Sequence, residues 1–382
     1  MNKQLSPSPT PFDALRDQFN RRRFLKSAAW TLGGLCCAPA FAADAAAKAQ
    51  AKAAKARRKA ENVTDYRDAV LVPGEPPAIA PGSYTIVALP DTQHYDRHPE
   101  LYHAQTEWIA RNHEARNIVC CLHLGDLTNN NLPAQWELAA AAMARMDGKV
   151  PYFMALGNHD YGERGGCADR TTLFHEYFPL AKYNKHPSFG GVYDREPERL
   201  DNSFHLLKAG PHELIVLCLE FGPRKEVIRW ANEVMEKHKN RPGILVTHAY
   251  MYHDDTRYEW AKRGLEQAAN PHYYKVATNF NDDVADGEEL WNQLVSKHHF
   301  IMTLNGHVTG DGLGRLTSTV GERQTHQMLY NCQIRPQGGD GWLRLIEGKA
   351  DGRTFEVCDY SPSRGERNES PQNRFTLGKS AA

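Results

Sequence analysis

Five short apolar runs in this chain each stop at side chains able to ligate a metal ion, with helical or irregular segments between them. Tyr84 to Leu89 ends at Pro90-Asp91-Thr92-Gln93-His94, and Ile118 to Leu124 ends at Gly125-Asp126. Val150 to Leu156 ends at Gly157-Asn158-His159-Asp160, Ile244 to Thr247 at His248, and Phe300 to Leu304 at Asn305-Gly306-His307. Apolar runs of this length halted by Gly or Pro read as buried strands ending in loops. The intervening stretches carry helical signals. Leu101, Ala104, Trp108 and Ile109 lie near one face, Gln135 to Arg145 is Ala-rich, and Glu226 to Lys239 places Val227, Trp230, Ala231 and Val234 on one side. A further helix is expected around Leu290 to Val295. Strands alternating with helices imply an α/β fold with largely parallel central strands. In such sheets ligands collect beyond the carboxyl ends of the strands, so the five polar ends converge.

The residue types at those ends limit the chemistry. The carboxylates of Asp91 and Asp126, the amide oxygen of Asn158 and the imidazoles of His248 and His307 suit Mn²⁺, Fe or Zn²⁺ rather than a thiophilic metal. A carboxylate shared by two ions holds them roughly 3.5–4 Å apart, the spacing used for displacement at phosphorus. Asp126 sits centrally in the set and is the candidate bridge. His159 changes protonation near neutral pH. Singly, each residue has a plainer reading, because a lone His at a strand end is more often a hydrogen-bonded structural residue and a lone Gly-Asp is usually a turn. The joint pattern is what points to a site.

The formal net charge of zero over 382 residues averages three unlike segments. Residues 1–42 carry six Lys/Arg against two Asp, and residues 43–60 six against one, leaving 34 basic and 43 acidic residues in the body, a charge of −9. An acidic body argues against a nucleic-acid groove as the main surface. Asn20-Arg21-Arg22-Arg23-Phe24-Leu25-Lys26, the modestly apolar Ser27 to Cys37 and the small-x-small Ala40-Phe41-Ala42 resemble a twin-arginine export signal with its cleavage site. Residues 1–42 are therefore expected to address the chain to the twin-arginine translocation machinery and to a periplasmic or secreted location. Cys36 and Cys37 lack a convincing lipobox, so no membrane anchor is expected. Residues 43–81 read as a flexible Ala/Lys-rich linker closed by a Pro-rich boundary, and residues 82–382 as one domain. Cys120, Cys121, Cys167, Cys218, Cys332 and Cys358 show no Cys-x-x-Cys zinc spacing, and three of them lie inside apolar strands. Trp342 to Ile346 and Thr354 to Cys358 flank Asp351-Gly352, a hairpin signal.

The order Asp91-x-Gln93, Gly125-Asp126, Gly157-Asn158-His159-Asp160, His248 and Gly306-His307 resembles the calcineurin-like metallophosphoesterase superfamily. Leu89-Pro90-Asp91-Thr92-Gln93 and Gly306-His307-Val308-Thr309-Gly310-Asp311-Gly312 look like an exported bacterial branch of it. The likeness runs from about Tyr84 to Ser361. It implies a four-layer αββα sandwich and hydrolysis of phosphomonoesters or phosphodiesters by a hydroxide bridging two divalent metal ions. Carried over, Asp126, Asn158, His248 and His307 would hold the second ion, and Asp91 with Asp126 the first. His159 would protonate the leaving oxygen. The superfamily usually has His where this chain has Gln93 and Thr309. The first site then becomes oxygen-only, with Gln93 offering a carbonyl, and should bind a harder ion such as Mn²⁺ or Mg²⁺ more weakly. Asp311 is a candidate to compensate.

The substrate is the least constrained part. Tyr250, Tyr252, His253, Arg257 and Tyr258, in the insertion after His248, are candidate walls of the pocket, and Arg257 could pair with a phosphate oxygen or serve in a surface salt bridge. His94 and His123 lie beside ligand positions and could support the ligands, though packing or solvent exposure is the favoured reading of each. The leading expectation is an exported dinuclear phosphoesterase acting on a small phosphoester. A degenerate single-metal binding module and a secreted nuclease are the alternatives; retained His159 counts against the first, the acidic body against the second.

Overall fold

The computed structural model describes residues 65–279 and 283–378; the expected export signal and the stretch up to residue 64 lie outside the described residues. In chain order the strands are β1 (Leu71–Pro73), β2 (Tyr84–Leu89), β3 (Ile118–His123), β4 (Tyr152–Met154), β5 (Phe189–Val192), β6 (Ser203–Ala209), β7 (His212–Leu219), β8 (Gly243–Thr247), β9 (Phe300–Asn305), β10 (Leu313–Val320), β11 (Arg323–Tyr330), β12 (Leu343–Gly348), β13 (Phe355–Ser361), β14 (Glu366–Asn368) and β15 (Arg374–Leu377). The longer helices are α1 (Pro99–Asn112), α2 (Pro133–Met143), α3 (Lys225–Lys237) and α4 (Gly287–Gln293). One sheet runs β1-β14-β13-β12-β2-β3-β4 with β15 on β13, and the other runs β10-β11-β9-β8-β7-β6-β5. Parallel pairing is confined to β2-β3-β4, at one end of the first sheet, and to β7-β8-β9-β11 in the middle of the second.

The layering follows from the two-residue period of a strand, which sends successive side chains to opposite faces. Ile86 and Ala88 of β2, Cys120 and Leu122 of β3, Val216 and Cys218 of β7, and Ile244 and Val246 of β8 meet in one core between the sheets. Val87, Leu89, Cys121, Ile215, Leu217 and Leu245 point the other way, into a core shared with Trp108, Ile109, Trp136, Val227, Trp230 and Leu290 of the helices. Sheets buried on both faces, with helices outside, give the four-layer αββα sandwich. Each fully buried Val, Leu or Ile contributes about 1.5–3 kcal/mol, which is why the central runs admit few polar residues until they leave the sheet. The six described cysteines are buried. Among the described residues no helix is long and apolar enough to cross a membrane.

Residues 65–81, expected as linker and boundary, are tied to the rest of the fold. β1 pairs with β14 through Val72 and Arg367, and the Arg335 guanidinium holds Asp68 at 2.8 Å. The prolines that suggested a linker form a strap whose Pro76 and Pro77 carbonyls accept hydrogen bonds from Arg116. The β10–β11 hairpin, turning at Gly321-Glu322, was not legible in the sequence, whereas β12 and β13 pair about Asp351-Gly352 as expected.

Candidate metal centre

Five of the parallel strands deliver polar residues shortly past their ends, and these residues meet at one end of the sandwich. The first sheet supplies Asp91 after β2, Asp126 after β3, and Asn158 and His159 after β4; the second supplies His248 after β8 and His307 after β9. The ligating atoms of Asp126, His248 and His307 lie within 4.8 Å of one another, and all three residues are buried. Asp126 and His307 reach these places with left-handed backbones, φ 51° and 76°, conformations that cost free energy away from glycine and cluster at functional sites.

Close approach explains two of the motif glycines. A β-carbon on Gly157 would stand 2.1 Å from Asp126 Oδ1, and one on Gly306 would stand 2.0 Å from Asp91 Oδ1. Any side chain there would displace the carboxylate. Asp160, the last residue of its motif, is a structural tie. It accepts N–H bonds from Gly157, Leu127 and Thr128 and so joins the loops after β3 and β4.

Backbone carbonyls fix the imidazole tautomers, a common arrangement for histidines that ligate metals. His248 donates Nδ1–H to the Leu124 carbonyl at 2.7 Å, turning Nε2 toward Asp126 Oδ2 at 3.2 Å. His307 donates Nε2–H to the Ala269 carbonyl at 2.7 Å, leaving Nδ1 to accept. His159 donates Nδ1–H to the Asn129 carbonyl at 2.8 Å, while its backbone N–H donates to Asp126 Oδ1 at 3.0 Å. His123 is fully buried against Thr92 Oγ1 at 3.0 Å, and burial pushes its imidazole down to about 3, a packing role.

The electrostatics of the cluster ask for a cation. Burial pushes the Asp91 carboxyl above the usual carboxylate range, with His248 opposing and Asp126 adding. Burial acts the same way on Asp126, but His248 and His159 hold it below that range. Burial works against a charged His248, yet Asp126 and Asp91 hold its imidazolium up to about 9. Burial and the His248 charge push His307 down to about 3, so it stays neutral and able to ligate. Two buried carboxylates need compensating charge, and a proton on His248 is what the chain itself supplies.

The donor set fits a divalent ion. Asn158 Oδ1, Gln93 Oε1 and His248 Nε2 are buried without a hydrogen-bond partner, although buried polar atoms are nearly always paired. At 3.2 Å the His248–Asp126 contact is an ion pair rather than a hydrogen bond. Gln93 and Asp91 sit differently from the imidazoles. Gln93 Nε2 donates to Asp126 Oδ2 at 3.0 Å. Both Asp91 oxygens accept from the His307 backbone N–H at 3.1 Å.

Arg257 does not face this cluster. Its guanidinium lies 2.6 Å from Glu288, donates to Ser318 Oγ and Gln327 Oε1, and stacks over Trp291. With Nε and Nη1 engaged by these protein groups, Arg257 makes the salt bridge that was the other reading of this residue. Asp311 Oδ1 accepts the Leu313 N–H at 3.1 Å, a turn contact. Tyr258, Tyr274 and Phe221 stand around the His307 ring at centroid distances of 6.2, 5.9 and 5.2 Å. Tyr274 and Phe221 were not anticipated, nor was Asn331, which donates Nδ2–H to Asp91 Oδ2 at 3.0 Å. Asn331 follows the apolar Met328 to Tyr330 and so carried the same strand-end signal as the five others.

A sequence profile of the calcineurin-like phosphoesterase family matches residues 84–308. The uncharacterized protein YvnB of Bacillus subtilis (strain 168) is 29% identical over 312 residues, an alignment taking in 81% of this chain and 22% of that protein. This chain thus spans about a fifth of that relative's length. Among solved structures, purple acid phosphatase PPD1 from yellow lupin (Lupinus luteus) seeds aligns with a TM-score of 0.44 and 13% identity, over 79% of this chain and 55% of that one. The calcineurin-like phosphoesterase YfkN from Bacillus subtilis aligns at 0.37 and 12%, over 79% and 91%. The matched stretch carries all five strand ends, and with it the family is shown: the chain belongs to the calcineurin-like phosphoesterases.

Proposed function

We propose that the protein is an exported hydrolase of phosphoric esters, monoesters or diesters, working with two divalent metal ions. The observation that carries this reading is the set of unpartnered buried atoms, Asn158 Oδ1, Gln93 Oε1 and His248 Nε2, two of them on side chains that touch Asp126. Asp126, Asn158, His248 and His307 would hold one ion (Mn, Fe or Zn). Asp91, Asp126 and Gln93 would hold the other, an oxygen-rich position suited to Mn²⁺ or Mg²⁺. Bound there, such ions supply Lewis acidity toward a phosphoryl oxygen and acidify water. The chain's own residues do the rest. Asp126 is held by the His159 N–H and the Gln93 amide, so its carboxylate keeps one orientation. His159 is anchored at Nδ1 and, among the described residues, has no hydrogen-bond partner at Nε2, the atom that hands a proton to the leaving oxygen. Phe221, Tyr258 and Tyr274 restrict water around His307.

Export rests on the Arg21-Arg22 signal and its cleavage site. The twin-arginine machinery carries folded proteins, which suits a chain that loads metal before it leaves the cytoplasm. Replacing both arginines by lysine is expected to strand the precursor inside; unchanged arrival of the cleaved form outside the inner membrane overturns that route.

One contact favours a second reading, a single-metal module without turnover. The Gln93 amide N–H already occupies Asp126 Oδ2 where a second ion would bind. Metal analysis of the mature protein, with a panel of nitrophenyl phosphomonoesters and phosphodiesters, separates the two. Two ions with turnover support the hydrolase; one ion with none supports the module.

A further inference from the structure

The Asp91 carboxylate is held from the opposite sheet by two separate donors. The His307 backbone N–H reaches both of its oxygens at 3.1 Å, and Asn331 Nδ2 reaches Oδ2 at 3.0 Å. The amide of Asn331 has only one workable orientation. Its Oδ1 accepts the Gln333 backbone N–H at 2.9 Å, which only an oxygen can do, so the NH₂ must face Asp91. Asn331 is itself buried and pinned, since its backbone N–H donates to the Gly312 carbonyl at 2.8 Å. Asp91 thus meets amide donors where the other half of the site presents imidazoles.

We infer that Asn331 is a positioning residue for the oxygen-rich metal position, aiming the Asp91 carboxylate from β11 across to the first sheet. The inference rests on the metal-dependent reading above. A hydrogen bond to a ligating carboxylate fixes which lone pairs remain for the ion, and loss of such a partner typically costs about 10–100-fold in metal affinity. Asn331 touches neither His248 nor Asn158 through any hydrogen bond described, so its influence is confined to the Asp91 side.

The test is a Mn²⁺ titration by calorimetry of chelator-stripped protein, comparing wild type with Asn331→Leu and Asn331→Thr. Threonine keeps a hydroxyl for the Gln333 N–H but is too short for Asp91, so it covers the case in which leucine disturbs the loop. The expected result is a Kd for the weaker ion raised about 10–100-fold in both variants, with the tighter ion's Kd and the melting temperature unchanged. Unchanged affinity for the weaker ion overturns the inference. So does a parallel loss of both ions with a lower melting temperature, which a merely structural asparagine would give. A wild type that takes up no second ion overturns it as well. Two ions without turnover on any ester would sink the hydrolase reading and leave the role of Asn331 standing on its own titration.

Discussion

The two halves of the metal centre are built by opposite means. On one side, His248 and His307 each give a ring N–H to a backbone carbonyl, which leaves a lone pair at Nδ1 of neutral His307 and, in His248, an Nε2 that faces Asp126 and must shed its proton to ligate. On the other, the Asp91 carboxylate accepts N–H bonds from His307 and Asn331, and the Gln93 amide donates to Asp126 while its Oε1 stays unpartnered. The first half is prepared for a borderline metal, while the second is already hydrogen-bonded and must exchange or share those bonds with an ion. Affinity and metal preference should therefore split between the halves.

The largest test falls on the carboxylate common to both. Asp126→Asn is expected to abolish turnover and lower the content of both ions, whereas His307→Ala should abolish turnover while the oxygen-rich side keeps its ion. Metal analysis that shows identical losses in the two variants would erase the distinction between halves.

His159 belongs to neither half, so His159→Ala should leave both ions in place while kcat falls by roughly 10²–10⁴-fold. The loss should shrink for a nitrophenyl ester, whose leaving group needs little protonation. Equal losses for good and poor leaving groups would end the general-acid role.

The proton on His248 offers a third probe. Its imidazolium is held up to about 9, so the stability it lends the stripped protein is present below pH 6.5 and lost as pH rises through about 9. An ion must displace that proton. Affinity on the imidazole side should weaken about tenfold for each pH unit below 9, and the Asp91 carboxyl, raised by burial, pulls the other side the same way. A tight-ion affinity flat between pH 6 and 9 by calorimetry would show that His248 is not a ligand.

The smallest effect should come from making the halves alike. Gln93→His with Thr309→His is expected to tighten the weaker ion on the order of tenfold and move its preference toward Zn²⁺. An unchanged titration would mean that the present oxygen donors already complete that position.

Most of the layered architecture was legible because strands buried on both faces leave unbroken apolar runs. Ile86 through Leu89 and Leu214 through Leu219 could be nothing else once their ends were seen. What escaped has a physical reason in each case. The outward half of β10 and β11 alternates Thr, Ser, Gln and Arg, so the hairpin reads as loop and Asn331 at its end goes unnoticed. Its partner Asp91 is 240 positions away, a contact no local pattern announces. Arg257 carries the right charge in the right insertion, but only the folded chain shows that Glu288, Gln327 and Trp291 have already claimed it. The prolines at 76 and 77 lack N–H groups yet keep carbonyls, and Arg116 uses these to fasten a segment that composition alone assigns to a linker.

The ligand contacts also cross from one sheet to the other. Asp91, on the first sheet, is held by His307 and Asn331 of the second, and His248, on the second, is held by the Leu124 carbonyl of the first. The centre therefore works as a clasp closing one end of the inter-sheet seam. If the sheets part at that end, the ligand set comes apart while the apolar layer between Ile86 and Val216 is still intact. An ion bound across the seam resists the parting, so amide exchange at the ends of β2, β8 and β9 should slow on metal loading while the middles of the same strands exchange as before.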